Sequence, residues 1–158
     1  MRYTWGMYKN LITQLESLSE GVTYPVTILS NAAAILFNSL KDINWAGFYI
    51  FDGASGGDAG TLLLGPFQGK PACMKIPVGK GVCGTSAARD ETVLVYDVHE
   101  FPGHIACDSA SNSEIVVPIH RNGAFYGVLD IDSPSVGRFT EDDKRGLEDF
   151  VAVLERYI

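Results

Sequence analysis

The sequence has 158 residues, an ordinary length for one domain with its own hydrophobic core. Hydrophobic residues make up 46% of it and charged residues 20%, values typical of soluble globular proteins. The formal net charge of −7 argues against binding to nucleic acid or to anionic membranes, because both need clustered lysine and arginine.

Neither a secretion signal nor a membrane helix is recognisable in the sequence. Residues 1–10 lack a basic stretch followed by an apolar run. No segment approaches the ~18 consecutive apolar residues that a membrane helix requires. We therefore expect a cytoplasmic protein in which residues 1–158 form a single domain.

Two helices are predicted at the start of the chain. Apolar residues recur at helical spacing from Leu11 to Leu18, and Gly21 follows as a stop signal. Pro25 suits the first turn of a second helix. The apolar face of that helix consists of Leu29, Ala32, Ala33, Leu36, Phe37 and Leu40. We expect both helices to pack on a sheet.

The middle of the chain is rich in strand signals. Aromatic and β-branched residues at 44–51 and apolar residues at 61–67 predict a hairpin around a glycine-rich loop. Shorter strands are predicted at 73–78 and 92–97, separated by a short helix that follows Gly81.

The last third of the chain predicts a long loop, a hairpin and a helix. The segment 99–113 is made mostly of small and polar residues without periodicity, and such loops are usually functional. Strands at 114–120 and 124–132 flank an Asn-Gly turn, and Thr140 suits the N-cap of a final helix. Hairpins between terminal helices predict an α+β fold, with a central antiparallel sheet on which the N- and C-terminal helices pack.

Three cysteines, Cys73, Cys83 and Cys107, are the first candidates for chemistry. An odd number is unsuited to a secreted disulfide framework, and their spacing matches no zinc motif. In a reducing compartment, unpaired cysteines either fill a core or carry out a reaction.

Five stretches between Asn44 and Ser133 carry a distinctive pattern. They are NWAGFY at 44–49, LGPFQGK at 64–70, GKGVCGT at 79–85, IACDSASNSEI at 105–115 and VLDIDS at 128–133. In this order they resemble the free methionine-R-sulfoxide reductases, a family of GAF-domain enzymes. Other GAF domains share the fold but lack the three cysteines. The loop from Gly53 to Gly60 is longer than this resemblance leads us to expect, and should alter the pocket rim at most.

The resemblance implies a GAF domain that reduces free methionine-R-sulfoxide with thiols, without a bound cofactor or metal, and with thioredoxin as the final reductant. Cys107 would attack the sulfoxide sulfur, and a second thiol would clear the resulting sulfenic acid as a disulfide. Cys83 and Cys73 are both candidates for that second thiol, and either could act first. A helix N-terminus near Cys83 would favour its thiolate, whereas Asp108 would disfavour that of Cys107.

Three carboxylates are candidates for proton donation and for binding the substrate ammonium. Asp130 and Asp132 are two apart on one strand and therefore share a face, and Glu114 begins the partner strand. Carboxylates that lie close together raise one another's pKa, which suits a proton donor. The sequence leaves open which of them donates and which binds the ammonium.

Aromatic residues and histidines complete the candidate site. Trp45 and Tyr49 are four apart on one strand and can form an apolar wall for a thioether methyl group. His99, His104 and His120 lack metal-ligand spacing with one another. His99 and His104 flank the long loop and are interpreted as solvated loop residues, with pH sensing as the alternative.

Two functions other than catalysis are compatible with the pattern. One is a GAF sensor for a small ligand such as a cyclic nucleotide, and the other is a thiol redox sensor whose disulfide is the signal. The first leaves the three cysteines unexplained and the second leaves the carboxylates unexplained. GAF domains often dimerise through terminal helices, so a homodimer is a further expectation.

Overall fold

The computed structural model describes residues 2–53, 58–105, 107 and 109–158, and for residues 2 and 3 the backbone only. The helices in this part of the chain are α1 (Arg2–Ser19), α2 (Pro25–Ser39), α3 (Gly81–Arg89) and α4 (Glu141–Leu154). The strands are β1 (Trp45–Asp52), β2 (Thr61–Gly69), β3 (Lys75–Pro77), β4 (Val93–Val95), β5 (Ser113–Arg121) and β6 (Ala124–Ser133). A 3₁₀ turn spans Val98–Glu100.

The strands form a six-stranded sheet in the order β3-β2-β1-β6-β5-β4, in which neighbouring strands run antiparallel. Hairpins join β1 to β2 and β5 to β6, as the sequence predicts. At the centre, β1 pairs with β6, which brings Trp45 opposite Asp132 and Gly47 opposite Asp130. The predicted α+β architecture is confirmed, with α2 and α4 packed on the sheet. Helix α1 packs mainly against α2 and α4, whereas both N-terminal helices were expected to pack directly on the strands.

The two faces of the sheet bury different sets of side chains, because successive residues of a strand point to opposite faces. One face packs into the main core with α1, α2 and α4, and its residues include Ala46, Phe48, Ile115, Leu129 and Ile131. The other face packs with α3 in a smaller core, and its residues include Trp45, Tyr49, Val116 and Val128. The candidate site lies on this second face.

Helix α1 begins at Arg2, well before the first residue of the apolar pattern. Its buried stripe consists of Tyr8, Leu11, Leu15 and Ser19. Leu18 is 51% exposed, so the prediction that it shares the buried face is wrong. One residue corresponds to about 100° of rotation in a helix, and Leu18 is therefore turned away from the stripe that Ser19 continues.

Two predicted strands are shorter in the structure. The segment 73–78 forms strand only over Lys75–Pro77, and 92–97 only over Val93–Val95. Both are edge strands with one neighbour, so only part of each segment is paired. Cys73 consequently lies in the loop before β3. Residues 54–57, within the loop noted for its length, lie outside the described residues, as does Asp108.

Helix α4 is fixed to the first helix by a buried hydrogen-bond network. Thr140 caps α4 as predicted, and its side chain and that of Asp143 form a capping box. The Tyr8 hydroxyl donates to Asp143 Oδ1 at 2.8 Å, and Arg138 Nη1 lies 3.1 Å from Asp143 Oδ2. Gly146 lets the Tyr8 ring approach, since a Cβ there would overlap it.

Among the described residues, no helix is long and apolar enough to cross a membrane.

Tyr8→Phe should lower the free energy of unfolding by about 1.5–3 kcal/mol, the range for a hydrogen bond to a charged group. The variant leaves Asp143 with one donor fewer while the ring packing remains. Urea unfolding measures the effect, with Tyr24→Phe as the matched control because Tyr24 is 71% exposed. Equal unfolding midpoints for the two variants would contradict the role assigned to this hydrogen bond.

Candidate active site

A pocket opens on the second face of the sheet, between the strands, the start of α3 and the loop that carries Cys107. It encloses about 540 Å³, part of which is open to solvent. The predicted site residues that line it are Trp45, Tyr49, Cys83, Cys107, Glu114, Asp130 and Asp132. Cys73 is connected to it by a disulfide to Cys107. The structure thus brings all eight candidates to one place.

The register of three central strands assembles the carboxylates. Asp132 pairs with Trp45 on one side and with Glu114 on the other. Asp130, two residues earlier on β6, pairs with Gly47 on β1. Residues directly opposite one another on a face have Cβ atoms about 4.5–5.5 Å apart, so the three acids form one cluster.

Burial changes the protonation of the two innermost carboxyl groups. Glu114 is 7% exposed and Asp130 5%. Burial raises the pKa of Glu114 well above its ordinary value of 4.5, and the charges of Asp130 and Asp132 raise it further. Burial also raises the pKa of Asp130, against hydrogen bonding with Glu114 and Cys83. Glu114 therefore retains a proton at pH values where an exposed glutamate has lost it.

One oxygen of this cluster is positioned for an external donor. Asp130 Oδ1 is buried and has no hydrogen-bond partner among the described residues. A buried polar atom without a partner costs about 1–3 kcal/mol, and a bound ligand that donates to it would recover that cost.

Cys83 lies beside the carboxylates at the beginning of α3. Its Sγ donates to Glu114 Oε1 at 3.9 Å, and the side chain is buried. Burial, and then the charges of Asp130 and Glu114, raise the pKa of the Cys83 thiol well above 9.0. The expectation that the helix N-terminus would favour its thiolate is therefore wrong, because desolvation and neighbouring acids outweigh the helix dipole.

Cys73 and Cys107 form a disulfide that bridges 34 residues of sequence, with 5.5 Å between their Cα atoms. Both residues are partly exposed. Two hydrogen bonds from β1 hold the loop that carries Cys73. The Tyr49 hydroxyl donates to the carbonyl of Cys73 at 2.8 Å, and Trp45 Nε1 donates to the carbonyl of Lys70 at 3.1 Å.

An aromatic wall forms one side of the pocket. The rings of Trp45 and Tyr49 stack with centroids 5.9 Å apart, and Phe67 of β2 stacks on Trp45 at 5.2 Å. Gly47 lies between them on β1, where a Cβ would overlap both Phe67 and the Trp45 indole. The sequence interpretation missed Phe67, because its contact depends on the pairing of β1 with β2.

His104 belongs to the pocket, contrary to the interpretation of the histidines as solvated. Its side chain is 17% exposed, and its Nε2 lies 3.9 Å from Glu114 Oε2. Burial, together with His99, lowers the pKa of His104 and favours the neutral ring. The interpretation is right for His99, which is 66% exposed beside Asp97, whereas His120 is bound by Asp90 and Glu155 at the far end of β5.

Three further residues reach the pocket from loops. Lys70, Lys80 and Ser111 line it, and Asn44 Nδ2 donates to Ser111 Oγ at 3.2 Å. Loop residues follow no periodicity, so no spacing rule could have selected them from the sequence.

Cys83, Glu114 and Asp130 could in principle share a metal ion, since each offers a ligand atom within 4.8 Å of the others. Metal ligation requires these groups to lose their protons. With no cation bound, burial and the neighbouring acids raise the pKa values of all three and favour their protonated forms.

Comparison with known proteins identifies the family. Residues 24–158 match the GAF domain family. The free methionine-R-sulfoxide reductase of Escherichia coli is 50% identical over 151 residues, which cover 96% of this chain and 88% of the relative. The chain belongs to the free methionine-R-sulfoxide reductase family.

Two further members of this reductase family also match nearly the whole chain. A free methionine-R-sulfoxide reductase of Saccharomyces cerevisiae is 46% identical over 153 residues, covering 94% of this chain and 83% of the relative. The X-ray structure of the Neisseria meningitidis reductase in complex with its substrate matches with a TM-score of 0.89 and 42% identity. That match covers 97% of this chain and 89% of the Neisseria chain.

The Tyr49 hydroxyl is expected to keep Cys73 close to Cys107 in this protein. Tyr49→Phe removes one hydrogen bond, worth about 0.5–1.5 kcal/mol, and should weaken formation of the disulfide by up to roughly tenfold. The thiol–disulfide equilibrium against a dithiothreitol redox buffer measures this. Tyr96→Phe is the control, because Tyr96 is 67% exposed. An unchanged equilibrium in Tyr49→Phe would show that the loop is held by other contacts.

Glu114→Gln should make stability less dependent on pH. Because folding raises the pKa of Glu114 above 4.5, the folded state binds more protons than the unfolded state between the two pKa values. The free energy of unfolding therefore decreases as pH rises from 4.5 through the pKa of the folded state. Glutamine carries no such proton, so the variant should gain on the wild type as pH rises. Urea unfolding across pH measures the difference, with the exposed Glu91→Gln as control. Parallel profiles of wild type and Glu114→Gln would contradict the assignment.

Proposed function

We propose that this protein reduces free methionine-R-sulfoxide to methionine. The observation that carries the proposal is the disulfide between Cys73 and Cys107 at a pocket that also contains buried, proton-holding carboxyl groups. Sulfoxide reduction needs two thiols, which supply two electrons and end as a disulfide, and a proton source for the oxygen, which leaves as water. Relatives named for this reaction support the proposal, and the preference for the R epimer rests on that similarity.

The proposed reaction has two steps before the enzyme must be reduced again. The Cys107 thiolate attacks the sulfoxide sulfur, the oxygen is protonated, and methionine leaves while Cys107 becomes a sulfenic acid. The thiol of Cys73 then attacks the sulfenic sulfur, which forms the disulfide and releases water. The two electrons that reduce the sulfoxide come from the two thiols, so the proposal requires no bound cofactor.

Cys73 is proposed to act before Cys83 in this sequence of steps. Cys73 lies within disulfide distance of Cys107. Cys83 is buried beside Glu114, and its raised pKa disfavours the thiolate that attack requires. Cys83 is proposed to act only after Cys73, by thiol exchange with the disulfide.

Glu114 is proposed as the proton donor and the two aspartates as the ammonium site. Burial and both neighbouring aspartates raise the pKa of Glu114, so this carboxyl group keeps a proton that it can donate. Asp130 Oδ1 lacks a partner among the described residues, and the ammonium of a free amino acid can donate to it. A methionine sulfoxide residue within a protein has an amide there, which explains a preference for the free amino acid.

The aromatic wall is proposed to receive the substrate's apolar end. The stacked rings of Trp45 and Tyr49 offer a flat surface for the methyl group, and sulfur near the edge of an aromatic ring gains about 0.3–1.5 kcal/mol.

Three finer assignments belong to the same proposal. Thioredoxin is proposed as the reductant, because each cycle leaves a protein disulfide that a dithiol must reduce. We also propose a cytoplasmic location, where such reductants maintain thiols. That residues 1–158 act as one domain and form a homodimer stays a prediction.

The test is turnover of separate epimers. The reduced protein is incubated with the R or the S epimer of free methionine sulfoxide and dithiothreitol, and methionine is quantified. We expect methionine from the R epimer only, and its loss in Cys107→Ser, because serine is not nucleophilic enough to replace the thiolate. Cys73→Ser should retain the first turnover and slow the later ones.

The redox-sensor and ligand-sensor alternatives predict a different result. A folded, reduced protein that yields no methionine from either epimer would exclude the enzyme proposal. Reversible disulfide formation without turnover would then identify a redox sensor, and ligand binding without any thiol change would identify a GAF sensor.

A further inference from the structure

The two sulfurs of the disulfide have different surroundings. Cys107 is among the described residues that line the pocket, whereas Cys73 is not. Cys73 is partly exposed and belongs to the stretch 70–75, whose exposed residues are Lys70, Pro71, Met74 and Lys75. The disulfide can therefore be approached from outside the pocket, on the side of Cys73.

The chain segment that contains Cys73 has the opposite charge balance to the rest of the sequence. Residues 59–89 contain Lys70, Lys75, Lys80 and Arg89 and no acidic residue, while all 19 acidic residues lie elsewhere in a chain of net charge −7. The three lysines are exposed. A local basic surface on an acidic protein attracts an acidic partner and accelerates its association.

An exposed apolar residue lies close to each of the two disulfide cysteines in the sequence. Met74 follows Cys73 directly and is 76% exposed, and Ile105 precedes Cys107 by two residues and is 37% exposed. Exposed apolar groups rimmed by charge are typical of protein–protein contacts, and a flexible methionine adapts to the partner's shape.

We propose that a protein dithiol reductase with an acidic rim docks on the surface formed by Lys70, Met74, Lys75, Lys80 and Ile105, and attacks the sulfur of Cys73. This inference rests on the proposed function, in which each turnover leaves a disulfide to be reduced. Thioredoxin is the reductase used in the test.

The exchange at Cys73 regenerates the nucleophile first. The reductase thiolate bonds to Cys73 Sγ, the Cys73–Cys107 bond breaks, and Cys107 leaves as a thiolate. The second thiol of the reductase then attacks the mixed disulfide, which releases Cys73 as a thiol and leaves the reductase oxidised. Two electrons pass to the protein, and Cys107 is ready for the next sulfoxide before the reductase has left.

Charge reversal separates docking from chemistry. Lys75→Glu and Met74→Ala change residues that do not line the pocket, so turnover with dithiothreitol should be unchanged. With thioredoxin, Lys75→Glu should lower kcat/KM for thioredoxin by roughly threefold to tenfold at low salt, and salt should reduce the difference by screening. Met74→Ala should lower it at every salt concentration. Lys9→Glu is the matched control and should behave as wild type. Lys9 is an exposed residue of α1, which packs in the core on the opposite face of the sheet.

A trapped complex identifies the attacked sulfur. A thioredoxin whose second active-site cysteine is replaced by serine cannot complete the exchange, and should accumulate as a mixed disulfide with the oxidised protein. Peptide mass spectrometry is expected to find the link at Cys73, with Cys107 present as a free thiol.

The outcomes distinguish the two proposals. No turnover with dithiothreitol would contradict the proposed function itself. Normal turnover with dithiothreitol, combined with equal thioredoxin kinetics for Lys75→Glu and Lys9→Glu, would overturn the docking surface. A mixed disulfide at Cys107 or Cys83 would overturn the direction of attack.

Discussion

The pairing register of β1, β6 and β5 is the constraint on which the rest of the structure depends. It directs Ala46, Phe48 and their neighbours toward the terminal helices, and it directs Trp45, Glu114 and Asp132 to the opposite face. A shift of one residue would exchange the two sets, which would bury carboxylates in the main core and expose its apolar residues. The large core therefore fixes the geometry of the small one, and the acid cluster exists because the helices on the other face hold the strands in place.

Burial keeps Glu114 and Cys83 protonated, and this has a different chemical consequence for each group. For Glu114 it keeps a proton available, whereas for Cys83 it keeps the thiol from becoming a nucleophile. Both effects have the same origin, since charge is disfavoured where water is excluded and where other acids lie nearby. Three cysteines that look alike in the sequence are thereby divided into a buried thiol and a partly exposed, disulfide-forming pair.

The disulfide joins two loops that are positioned from the sheet. Trp45 and Tyr49 have two roles on this face. Their rings form the wall of the pocket, and their polar atoms donate hydrogen bonds to the carbonyls of Lys70 and Cys73. The same two side chains therefore connect the wall of the pocket to the loop that carries Cys73. The basic stretch 70–80 that contains Cys73 then offers a second approach to the same bond, at the edge of the pocket that Lys70 and Lys80 line.

The sequence by itself determined the α+β class, the two hairpins and the shared face of Asp130 and Asp132, because these follow from local periodicity and turn chemistry. Its motifs also selected the eight candidate residues. Only the tertiary structure decided which cysteines pair, that the thiol of Cys83 is held protonated, that His104 lines the pocket, and that Phe67 stacks on Trp45. Those properties depend on desolvation and on contacts between distant segments, and no local pattern of residues encodes the distance between two loops or the water excluded from a side chain.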